Sequence, residues 1–192
     1  ATAFNDAVAL GSGTQATVGA TVLGTRAYAS GIQAVAIGMD SRATDSDAIA
    51  IGRTAEASGT QAVAIGLGSS ASDSDAIAIG QTANASGANG IAIGHSAQAA
   101  LRAVAFGADS QATSTGAVAI GEGSSATDGY TVAIGSNSEA TDSYSVAVGA
   151  SASATGDNGT AIGTFSEATG IADYQLVYST REYKKTRVRY FV

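Results

Sequence analysis

Ala34-Val35-Ala36-Ile37-Gly38-Met39-Asp40-Ser41-Arg42-Ala43-Thr44-Asp45-Ser46-Asp47-Ala48-Ile49-Ala50-Ile51-Gly52 contains one motif twice, a small-large-Ala-large-Gly block whose copies end 14 residues apart. The block recurs with its glycine at 11, 24, 38, 52, 66, 80, 94, 107, 121, 135, 149 and 163; the steps are 14 residues except for two of 13. Five residues after each glycine stands an alanine, from Ala16 to Ala168, and three residues after it Ser, Ala or Thr, so every unit continues Gly-x-x-small-x-Ala. A fixed period of this kind marks a repeat architecture in which neighbouring units bury what one unit cannot.

Val35-Ala36-Ile37 alternates with period two and carries β-branched residues at its large positions, so the block predicts a strand. Two heptads are a poor reading of a 14-residue unit. Heptads need apolar residues every three or four positions, and here they gather in one block. Each recurrent glycine would also cost a helix about 1 kcal/mol. The expectation is an all-β parallel β-roll or solenoid of about twelve 14-residue coils over 1–170. Each coil holds two short strands and two turns, and a rise of about 4.8 Å per coil gives a rod near ~55 Å. The absence of Pro suits a ladder in which every strand donates.

Period two gives each strand two faces. The residues one and three before each glycine, such as Ile37 and Val35, are large and are expected to fill the interior. On the opposite face the residue two before glycine is Ala in every unit but that of Val22. This strip, Ala36, Ala50, Ala64, Ala78, Ala92, Ala105, Ala119, Ala133, Ala147 and Ala161, is expected to be the oligomer interface, since a long apolar strip left in water marks a contact surface. Periodicity also fits the exchanged assignment, with the large face as the seam.

Units such as Asp47-Ala48-Ile49-Ala50-Ile51-Gly52 and Ser145-Val146-Ala147-Val148-Gly149, each followed by Gly-x-x-small-x-Ala, resemble the head repeats of YadA-like trimeric autotransporter adhesins over residues 7–169. The resemblance implies a left-handed parallel β-roll packed as a homotrimer. It implies display at a bacterial cell surface and adhesion to host extracellular-matrix proteins, glycans or cells. The neck, coiled-coil stalk and membrane barrel of that family do not follow Gly170, so a phage tail fibre or other virion or surface filament using the same roll is the alternative owner. No ligand motif of the family is present to carry over.

Residues 171–192 break the pattern. Four of the seven Tyr fall there, and the net charge is +3 against −10 for 1–170. Strand formers on both sides of Glu182-Tyr183-Lys184-Lys185 predict a C-terminal strand or hairpin that caps the sheet edge. Tyr174, Tyr178, Arg187, Arg189 and Tyr190 are the candidate ligand or subunit contacts, because aromatic and basic groups together suit glycans, acidic partners or a neighbouring subunit. An acidic body opposes nucleic acid.

Enzymatic chemistry has little to work with. The chain of 192 residues has no Cys and a single His95, which leaves neither thiolate chemistry nor a spare imidazole for a nucleophile. No catalytic residue, cofactor or metal is expected. The Asp45-Ser46-Asp47 and Asp73-Ser74-Asp75 turns lack the EF-hand and nonapeptide calcium patterns and read as solvated turns. A single Thr/Ser column, six residues after eleven of the twelve glycines, is too narrow for an ice-binding face. No stretch approaches the roughly 20 apolar residues of a spanning helix, so direct membrane insertion of this segment is not expected.

Overall fold

A computed structural model describes residues 1–176 and the strand Thr186–Arg187. These residues form strands and turns, and the chain divides into two compact units, Ala1–Ala97 and Gln98–Val192. Both are built from the same coil: a three-residue strand such as Val35–Ile37, a turn, a two-residue strand such as Arg42–Ala43, and a second turn.

In the first unit the three-residue strands from Val8–Leu10 to Ile91–Ile93 pair in parallel, each copy of the repeat facing the same position of the next. Ala64 lies opposite both Ala50 and Ala78, and Ile65 opposite both Ile51 and Ile79. The two-residue strands from Thr2–Ala3 to Asn84–Ala85 form the second ladder of that unit. The second unit repeats this arrangement, from Val104–Phe106 to Tyr174–Leu176 in one ladder and from Gln98–Ala99 to Glu167–Ala168 in the other. Each unit is thus an all-β parallel β-solenoid, and the chain holds about twelve such turns.

Both turns of a coil are tight. Ser41 donates its N–H to the Gly38 carbonyl at 3.3 Å, and Ala48 donates to that of Asp45 at 3.2 Å. The residue before each donor, Asp40 or Asp47, is left-handed with φ near +59° and +58°. Gly38 itself sits at φ +126°, and a Cβ there would stand 2.5 Å from the Gly52 carbonyl oxygen of the following coil. The recurrent glycine therefore answers two demands together, a backbone conformation closed to L side chains and close approach of successive coils.

Such short turns hold the two strands of a coil so close that only small side chains fit between them. Four columns supply them: the residues three and five after each glycine, the residue before the three-residue strand, and its middle residue. Ser41, Ala43, Ala48 and Ala50 are examples, all fully buried. Among the described residues the largest side chain completely enclosed is Val22. Interior serines three residues after a glycine satisfy their hydroxyls locally, as Ser41 Oγ donates to the Gly38 carbonyl at 2.9 Å and Ser124 Oγ to that of Gly121 at 2.8 Å, whereas the buried Ser145 Oγ, before a three-residue strand, has no partner.

The strip Ala36, Ala50, Ala64, Ala78, Ala92, Ala105, Ala119, Ala133, Ala147 and Ala161 is therefore inside the roll, with 0% exposure at every position. This corrects the expectation that these alanines form an interface between chains, since an atom without solvent access in one chain has no surface to offer another. The large residues are outside instead. Val35, Ile37, Ile49 and Ile51 are only half-buried, and Ile120, Phe106 and Leu10 are exposed.

At the C-terminal end Tyr174–Leu176 extends its ladder in parallel with Thr160–Ile162, past residue 170, and then pairs antiparallel with Thr186–Arg187.

Candidate interaction surface

The coil presents two outward sheet faces and two rims of turns. The face of the three-residue strands is apolar. In each unit two columns of Val, Ile and other large residues run from coil to coil, one and three positions before the glycines, and their outer side chains are incompletely covered. Ile134 and Ile162, for example, remain 36% and 40% exposed. Water-exposed apolar columns of this length are the kind of surface that a partner covers.

The face of the two-residue strands is polar and varied. Arg42 there holds its guanidinium 5.6 Å from the ring centroid of Tyr28, one coil before, and 3.9 Å from Glu56 Oε1, one coil after. Both contacts are solvent-exposed and individually weak. On the adjoining rim Arg26 donates from Nε and Nη2 to the two Asp40 carboxylate oxygens at 2.7 and 2.6 Å. The hydrogen bonds, followed by the charge of the guanidinium, hold the Asp40 carboxyl below its ordinary range and raise Arg26 above its own. On the opposite rim of the second unit Tyr130 and Tyr144 stack with ring centroids 5.7 Å apart, and the Tyr130 ring lies over Gly116, where a Cβ would collide with it.

Asp45 and Asp73 each serve the backbone of their own turn. Asp45 Oδ1 accepts from Ser46 N–H and Asp73 Oδ1 from Ser74 N–H, both at 2.8 Å. Among the described residues no group of three or more His, Cys, Asp or Glu is placed to hold a metal ion. Members of the Thr/Ser column bond across coils, as Thr17 Oγ1 does to the Gly31 carbonyl and Ser30 Oγ to that of Thr44, both at 3.1 Å.

Of the C-terminal candidates, Tyr174 is exposed beside Thr160 on the apolar face, and Arg187 lies in the antiparallel strand. Tyr178, Arg189 and Tyr190 lie outside the described residues. Sequence reasoning passed over Gln175, which takes the interior position held by Ala161 one coil earlier and is 3% exposed. Its Oε1 accepts the Glu167 N–H, and its Nε2 is buried without a partner. In the preceding coil the equivalent backbone donor, Ser153 N–H, bonds the Ser166 carbonyl at 2.8 Å. The Gln175 side chain thus replaces a ladder bond where the two-residue strands stop. A Gln in a column that is Ala at every other level but that of Val22 was the signal for it.

A family model, the YadA head domain repeat, matches residues 18–41, 43–69, 71–97, 99–124, 112–138, 126–152, 140–166 and 154–171. No curated protein matches the chain.

Proposed function

We propose, from the premise that the chain belongs to the YadA head-repeat family, that it works as a homotrimer which turns its apolar strand faces toward a common axis. The polar face and the turns are left outward to hold host extracellular-matrix proteins, glycans or cells. Members of this family are non-enzymatic β-solenoid modules of adhesin heads, displayed outside the bacterial cell, and the chain is extracellular on that ground.

The observation that carries the assembly is the placement of the large residues. A roll that keeps its alanines inside and its valines and isoleucines outside gains stability when that outer face is covered, and three copies of the same face cover one another without a second partner. Ligand contact then falls to the surfaces left wet, the column containing Tyr28, Arg42 and Glu56 and the turns beside it. Residues 171–192 have the role of a cap, supported by Gln175 and by the antiparallel strand Thr186–Arg187.

Sedimentation of the full chain over a range of concentrations tests the assembly. A species of three chains is expected, and a monomer at all concentrations would overturn it. Binding to an array of matrix proteins and glycans, repeated with Arg42→Ala and with the chain ended after 170, tests the surface. Retention of the same ligands by both variants would remove the polar column and the C-terminal segment from the site.

A further inference from the structure

The apolar face has two rims, and the same coil contributes to both. One rim is the turn before the three-residue strand, as at Ser46-Asp47. The other is the turn after it, as at Arg53-Thr54. In the coil built on Ile49–Ile51, Asp47 stands exposed on the first rim and Arg53 exposed on the second. In the coil built on Val104–Phe106 the charges are exposed in the opposite order, with Arg102 on the first rim and Asp109 on the second. In the coil built on Val35–Ile37 each rim also exposes an apolar residue, Ile32 at 58% and Met39 at 41%, beside Gln33 and the Asp40 that Arg26 holds. Asp47 and Arg53 flank the strand Ile49–Ile51, whose three residues cover about 10 Å, so the two charges of one coil stand at opposite edges of the face.

Three such faces turned toward one axis enclose a triangle at each level. At each of its corners the first rim of one chain meets the second rim of the next, at the same height, because rotation about the axis leaves height unchanged. A coil whose two rims are complementary in charge or polarity therefore complements its own sister copies.

We propose that a second copy of this chain is recognised through these rims, by an ion pair from Asp47 to Arg53 of the neighbouring copy and another, of reversed polarity, from Arg102 to Asp109 of the neighbouring copy. The inference rests on the trimeric reading given above and adds to it the residues that set which edge of one copy meets which edge of the next. Asp109 also interacts within its own chain, and a carboxylate has lone pairs for more than one donor. Ile32 and Met39 meet at their level in the same way, apolar against apolar.

Charge exchange in the full chain tests the pairing. Asp47→Arg places arginine at a left-handed turn position of the kind Arg102 occupies at φ +54°, and Arg53→Glu places glutamate where Glu122 stands in its own coil. Each single variant sets like charges against each other at all three corners. The expected result is trimer association weakened about tenfold in low salt, recovery in the double variant, and loss of the difference near 1 M salt. Arg102→Glu, Asp109→Arg and their combination repeat the test in the other unit, and circular dichroism confirms that each variant keeps its β-roll. If the unaltered chain forms trimers and the single variants associate as tightly as it does, the rim pairing is wrong while the trimer stands. Failure of the double variants to recover has the same meaning. If the unaltered chain sediments as a monomer, the trimeric reading falls and takes the pairing with it.

Discussion

Replacing Ala78 by leucine adds three carbons to a column where no exposed surface remains and where Ala64 and Ala92 lie directly opposite on the neighbouring strands. Only one side chain as large as valine is completely enclosed anywhere in the described interior. Overpacking a tight core costs about 1–3 kcal/mol, and a roll whose coils repeat every ~4.8 Å has little freedom to yield, so the upper end, about 3 kcal/mol, is expected. For a chain of this size that lowers the unfolding midpoint by roughly 6–12 °C. Ile79→Ala removes three carbons one residue away, on the outer face. If assembly covers the exposed part of that side chain, the loss is about 1 kcal/mol per chain and about 3 kcal/mol per trimer, more than a hundredfold in association. Melting followed by circular dichroism at several protein concentrations separates the two effects, because mass action makes only the second depend on concentration. Ala78→Leu should lower the midpoint equally at every concentration, and Ile79→Ala chiefly at low ones. An Ala78→Leu protein that melts like the unaltered chain but fails to associate would show that the two faces of the strand are assigned the wrong way round.

Gly38→Ala combines a forbidden φ with a collision against the Gly52 carbonyl, and a loss of more than about 2 kcal/mol in a urea titration is expected; an unchanged midpoint would mean that the coils are less closely stacked. Asp40 contributes stability through its depressed pKa. That contribution is present above the unfolded carboxyl value near ~3.9 and is lost as pH falls through the lower folded value. Asp40→Asn should therefore flatten the acid side of the stability curve below about pH 4 and lower stability at neutral pH; parallel curves for both proteins would exclude the Arg26 contact as a source. Gln175→Ala deprives the Glu167 N–H of its acceptor, at about 1 kcal/mol. Hydrogen exchange at Glu167 should accelerate severalfold while that at Ala126 stays unchanged, and equal exchange in both proteins would remove Gln175 from the cap.

Much of this architecture is legible in the linear order of residues. The 14-residue spacing of glycine, the alternation in Val35-Ala36-Ile37 and the following Gly-x-x-small-x-Ala determine a parallel solenoid, its coil length and the position of its turns, because each of these is a local property of the backbone or of a period. The side on which the core lies was decided only by tertiary structure. Alternation divides a strand into two faces and leaves their roles interchangeable; the separation of the two strands of a coil selects between them. Turns closed by bonds such as Ser41 N–H to Gly38 and Ala48 N–H to Asp45 leave room for Ala against Ser or Ala and none for Ile against Ile, so the alanines go in and the isoleucines go out. Gln175 followed the same rule. Its residue type suggested a surface, and the open end of a ladder, which exists only once the coils are stacked, gave its amide a place inside.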